Sequence, residues 1–113
     1  MRIKFDAQLR LLGEEMTHMG SMIESAIQDA THAFLNQDVE TAKRIMAEDE
    51  YIDQEQKKIE NICFQLLIQQ QPVARDLREI SAALKMISDL ERIGDQAADI
   101  ADLTRHVSLP EGA

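Results

Sequence analysis

The stretch ICFQLLIQQQPVARDLREI, residues 62–80, decides how this chain folds. Upstream of it, Ile59, Cys63, Leu66 and Leu67 recur at helical spacing; downstream, Val73, Leu77, Ile80 and Leu84 do the same. Between the expected end of the upstream helix at Gln69 and Val73 lie only Gln70, Gln71 and Pro72, and a proline is tolerated in the first turn of a helix because its missing N–H has no partner there. Two long helices joined by so short a break must return antiparallel. Pro72 is expected in the first turn of the third helix, with Asp76 and Glu79 near its positive end.

The same periodicity extends in both directions. On the N-terminal side, Phe5, Leu9, Leu12, Met16, Met19, Ile23, Ala26, Ala30 and Ala33 alternate steps of four and three, the spacing that keeps one stripe on a partner helix. Asn36 and Gln37 interrupt it, and Asp38 is a suitable N-cap for the following helix. That helix carries Val39, Ala42, Ile45, Met46 and Ile52 before reaching the opening stretch, while the last one continues through Ile87, Gly94, Ala98 and Ala101 and ends before Pro110 and Gly112. The spacing predicts helices over 4–35, 39–69 and 73–106, giving an all-α, antiparallel up-down-up three-helix bundle. Residues 1–107 are read as one domain and 108–113 as a linker or tail.

Composition agrees with this architecture. The 113 residues are 44% apolar and contain only four Gly and two Pro, too few turn-formers for an all-β chain. A net charge of −9 disfavours nucleic acid and anionic lipid as partners, and no basic patch offsets it. No apolar run approaches the roughly 18 residues of a membrane span, and Met1 to Arg10 lacks a secretory apolar region. Cys63 stands alone, which fits a reducing compartment, so a cytoplasmic location is expected.

Two carboxylates stand where hydrophobes belong. Asp49 falls on the apolar arc of the second helix between Met46 and Ile52, and Glu91 takes the place after Ile87 on the third; Asp53 and Asp95 follow one turn further on. A reversal near Gln71 brings the two pairs to one level, with facing residue numbers summing to about 142, so that Asp53 faces Asp89 and Asp49 faces Ile93. Ser21 to Ser25 of the first helix share that level. Unpaired charges are costly away from water, and Arg92 points sideways. Two readings follow: a hard metal ion such as iron, manganese or magnesium held by oxygen ligands, or a solvated acidic face.

Other candidates are weaker. Glu15 and His18 form a Glu-x-x-His step, but a di-iron bundle uses two such steps on four helices. Cys63 lies on an apolar arc as a small core residue, and Met16, Met19 and Met22 read as core filler. No Ser/His/Asp or Cys/His constellation and no glycine-rich phosphate loop is present. A second apolar set, Leu11, Met22, Phe34, Leu35, Phe64 and Ile68, lies outside the main stripes and suggests self-association as a homodimer.

Gln70 to Arg78 together with Leu90-Glu91-Arg92-Ile93-Gly94-Asp95 resemble the third-helix signature of the PhoU family of bacterial phosphate-uptake regulators, and Asp49-Glu50-Tyr51-Ile52-Asp53 resembles its second-helix motif. Phe5 to Met19 and Asn36 to Ala42 also follow the family pattern, so the resemblance covers residues 2 to about 105. It implies metal binding by Asp49, Asp53, Glu91 and Asp95, no catalysis, and regulatory contacts with the ATPase of a phosphate transporter and with the sensor kinase of the phosphate response. The family carries two three-helix repeats in tandem, of which this chain matches the first. A di-metal carboxylate enzyme, an iron-storage bundle and a metal-free helical adaptor are the competing functions.

Overall fold

The computed structural model describes residues 2–69 and 72–110, with the side chains of Arg2 and Gln69 left aside. Three helices account for nearly all of it: α1 (Arg2–Leu35), α2 (Val39–Gln69) and α3 (Ala74–His106). Each packs on the other two, in a rod of 61 × 19 × 16 Å. These bounds lie within two residues of those predicted from periodicity.

The α1–α2 reversal is built from three residues. Gln37 takes a left-handed backbone (φ 55°), and the Asp38 N–H then reaches back to the Ala33 carbonyl at 2.8 Å, closing the helix end in the manner usually given to glycine. Asp38 caps α2 as its sequence position suggests: one carboxylate oxygen accepts the Thr41 N–H at 3.1 Å and the other the Thr41 hydroxyl at 2.6 Å. Both bonds favour the ionised acid and hold the Asp38 pKa below the usual carboxylate range.

The start of α3 departs from expectation. Pro72 lies outside the helix, and Val73, with extended backbone (φ −75°, ψ 169°), is the cap residue. Asp76 Oδ2 accepts the Val73 N–H at 3.2 Å, which secures that extended residue and sets the first helical turn at Ala74. Asp76 is almost wholly buried, whereas the sequence suggested only a favourable place near the helix dipole.

The core has two unequal parts. Phe5, Leu12, Met19 and Ile23 of α1 meet Ile52, Ile59, Cys63 and Leu66 of α2 and Ile80, Ala83 and Ile87 of α3. Towards the α1–α2 turn the contacts shrink to Ala30, Ala33, Ala42, Ile45, Ala97 and Ala101. Small side chains make up the core there; Gly94 sits at the transition, where an added Cβ would lie 3.4 Å from Ile52 Cγ2. Cys63 is buried in the larger part, as its place on the arc implies, and burial pushes its thiol pKa up and away from reactivity.

Candidate metal centre

Asp49 and Asp53 sit one turn apart on α2 and are half-buried; Asp95 reaches them from α3 and is exposed. One carboxylate oxygen from each lies within 4.8 Å of the others. Oxygens on opposite sides of a hard divalent ion are separated by about 4 to 5 Å, twice a typical bond length, so this trio fits the ligand shell of a single ion. Glu91 does not belong to that trio. It lies one turn before Asp95 on α3, close enough for the Asp95 carboxyl to raise its pKa, which places Glu91 as a further carboxylate beside the trio.

The register differs from the sequence expectation by two to six residues. Asp49 and Asp53 face Asp95, and Ile52 faces Gly94; Asp89 instead turns outward to Lys85 at 3.9 Å and Arg92 at 3.8 Å. The cause is the tilt of every Cα–Cβ bond towards its own helix N-terminus. On α2 that tilt runs away from the reversal and on α3 towards it, so side chains that meet come from Cα positions later in both helices.

Position within the stripe is corrected as well. The buried series of α3 passes from Ile87 through half-buried Leu90 to Gly94, Ala97 and Ala101, alternating three and four; Glu91 is therefore beside the stripe and only half-buried. Asp49 is half-buried at the edge of the α2 arc. The acids line the outer groove between α2 and α3 instead of the sealed seam, so they can meet an ion without leaving water entirely.

Electrostatics identify the strain in this groove. Partial burial, followed by the charges of Asp53, Asp95 and Asp99, raises the Asp49 pKa; burial, the adjoining Asp95 carboxyl and the charges of Asp53 and Asp49 raise that of Glu91. Asp99 was not singled out in the sequence, although it repeats the four-residue step from Asp95. Among the described residues no Lys, Arg or His forms an ion pair with Asp49, Asp53, Glu91 or Asp95; Arg92, the nearest in sequence, goes to Asp89. The groove thus lacks a protein cation and offers several convergent oxygens.

A cavity of about 270 Å³ opens beside it, with Met22, Ser25 and Ala26 of α1 opposite Ile45, Asp49 and Tyr51 of α2 and with Gly94 and Ala98 beneath. This sets Ser25 at the height of Asp49, as the α1–α2 reversal predicted. His18 is exposed and outside this groove, and Glu15 lies on the other side of α2. The Glu-x-x-His step therefore contributes nothing to the acidic groove.

The fold and the site together define a three-helix bundle with an acid-x-x-x-Asp pair on each of two facing helices. Residues 16–104 match the family model of the PhoU domain, and the chain belongs to the PhoU family. It is 43% identical over 105 residues to the phosphate-specific transport system accessory protein PhoU homolog of Clostridium acetobutylicum, covering 92% of this chain and 48% of that protein. Against the phosphate-specific transport system accessory protein PhoU of Escherichia coli K12 it is 36% identical over 97 residues, 86% of this chain and 40% of that one. The fold superposes on the crystal structure of the phosphate transport system regulatory protein PhoU from Streptococcus pneumoniae with TM-score 0.88 and 32% identity, and on PhoU from Pseudomonas aeruginosa with 0.86 and 33%. These matches cover 96% of this chain but 52% and 54% of the two crystallised chains, so this chain spans about half the length of its relatives.

Proposed function

We propose that this chain is a non-enzymatic regulatory unit of a phosphate-specific transport system, acting by contact with the transporter's ATPase and the sensor kinase of the phosphate response on the cytoplasmic side. The observation that carries the site reading is the convergence of Asp49, Asp53 and Asp95, with Glu91 beside them, in a groove with no ion-paired cation among the described residues. Asp49, Asp53 and Asp95 would hold the ion, iron, manganese or magnesium being the classes that oxygen ligands select, and Glu91 supplies a further carboxylate. The bound ion contributes positive charge that joins α2 to α3 and makes the docking face less acidic. No described helix is long and apolar enough to cross a membrane, in keeping with action through protein contacts.

Self-association belongs to the same reading. Leu11, Leu35, Phe64 and Ile68 remain exposed by 41–81%, as the second apolar set implied, whereas Met22 and Phe34 are half-buried in the bundle itself. A second copy of this chain would cover these faces. Light scattering should detect a dimer; a strict monomer at high concentration rejects that part.

Elemental analysis of protein purified in metal-free buffer and reloaded with Mn²⁺ tests the central claim, together with melts in the presence and absence of chelator. Bound metal in wild type, lost from Glu91→Gln and Asp95→Asn, is the expected result. Background metal and a melt indifferent to chelator would leave a metal-free helical adaptor.

A further inference from the structure

The cavity beside the metal groove has a chemistry that ion binding does not explain. Its walls are largely apolar, with Met22, Ala26, Ile45, Ile52 and Ala98 drawn from all three helices, and exposed Tyr51 adds an aromatic ring. Three carboxylates line the same space, Asp29 of α1 with Glu48 and Asp49 of α2. Arg44 is the cation paired with them among the described residues: its guanidinium reaches from α2 to Asp29 Oδ2 at 3.8 Å and to Glu48 Oε1 at 3.4 Å, loose separations between exposed groups. One guanidinium against three acids leaves a negative rim around apolar walls.

Size and chemistry together select an occupant. At about 270 Å³ the cavity is smaller than the roughly 300–1,000 Å³ usual for drug-sized ligands, and it suits one inserted side chain. The acidic rim repels anions, phosphate included, and attracts a cation; the apolar walls favour a cation that sheds water at low cost. A guanidinium is more weakly hydrated than an ammonium, and it can stack on an aromatic ring while donating to carboxylates. Asp29 and Glu48 already accept the guanidinium of Arg44, so the rim geometry suits this group. We infer that the cavity receives an arginine side chain from a partner protein, its guanidinium between Tyr51 and the rim acids and its methylenes against Met22 and Ile45. The inference rests on the reading of this chain as a unit that acts by protein contact, and it gives that contact an anchor, since inserted arginines commonly dominate interface energies. Asp49 also borders the metal groove, but Asp29 and Glu48 take no part in the trio, so the cavity keeps acids of its own when an ion is bound.

The test uses the whole 113-residue chain in chelator, with labelled Met and Ile methyls observed by NMR. It is titrated with N-acetylarginine amide and, separately, with N-acetylcitrulline amide, an uncharged analogue of the same shape. Arginine should shift the methyls of Met22, Ile45 and Ile52 saturably, citrulline should bind several-fold more weakly, and added salt should reduce the arginine response. The double variant Asp29→Asn, Glu48→Gln changes two exposed acids without touching the core and should weaken arginine several-fold; Ala98→Leu, which fills the cavity, should abolish the methyl shifts. Arginine that leaves these methyls unmoved, citrulline that binds as well as arginine, or an unchanged response in the double variant would each overturn the inference. With no transporter, kinase or metal present, a negative result strikes the cavity alone. Failure of the regulatory reading would show instead as absent contact with the transporter's ATPase while the arginine shifts persist.

Discussion

Helix α2 carries acids on both flanks, and the two clusters solve the same electrostatic problem differently. Towards α1, Glu15 meets Lys58 Nζ at 3.0 Å beside buried Glu55, so that the chain itself supplies a cation. Towards α3, Asp49, Asp53, Glu91 and Asp95 stand in a more open groove without an ion-paired protein cation, while Lys85 and Arg92 both serve Asp89 outside it. A carboxyl cluster becomes a credible ion site when its own chain leaves it uncompensated and its oxygens converge at ligand spacing. A lysine within hydrogen-bond distance marks the other outcome.

The severest way to break the comparison is Ile52→Ala. Ile52 is buried and packs against Gly94 between the two flanks, so truncation should cost about 2–5 kcal/mol and disturb metal loading and the Glu55 titration together. If denaturant melts show the loss but neither site changes, the clusters are held by their own helices and not by this packing.

Metal loading should act on one flank only. At Mn²⁺ a hundredfold above its dissociation constant, mass action stabilises the fold by about 2.7 kcal/mol. Calorimetry should show that gain abolished in Asp95→Asn and retained in Glu55→Gln. Equal loss in both variants would mean that the flanks are not independent.

The pH profile separates them further. Asp49, Glu91 and Glu55 all have raised folded pKa values, so the fold binds their protons more tightly than the unfolded chain, and metal-free stability should fall as pH rises from the ordinary carboxylate range through the folded values. Asp38 and Glu15 are lowered and act in reverse: what they contribute is present above the ordinary range and lost as pH falls through their folded values. Saturating metal should flatten the part of the fall due to Asp49 and Glu91 and leave the part due to Glu55. Urea melts across pH, with and without Mn²⁺, measure both.

The smallest effect expected is a reversal of sign. In chelator, Glu91→Gln relieves repulsion in the groove and should stabilise by a few tenths of a kcal/mol; with metal present it should destabilise. A melt that moves the same way in both conditions contradicts the ion reading.

Much of this was readable in the residues alone. The stripes from Phe5 to Ala33 and from Ile80 to Ala101, with Asp38 as a cap, determined three helices, because burial of one face imposes a period that side-chain chemistry records directly. The steps Asp49 to Asp53 and Glu91 to Asp95 were equally visible, since i, i+4 neighbours share a face of any helix. What only the tertiary structure decided was the facing of one helix by another. Asp95, not Asp89, completes the trio because the Cβ tilt displaces antiparallel side chains, and Glu55 is buried because α1 packs against its flank of α2. A glutamate beside an apolar arc reads the same whether it meets water or a neighbouring helix; the difference lies in the axial offset between helices, which is set by the sum of all core contacts and written in no single residue.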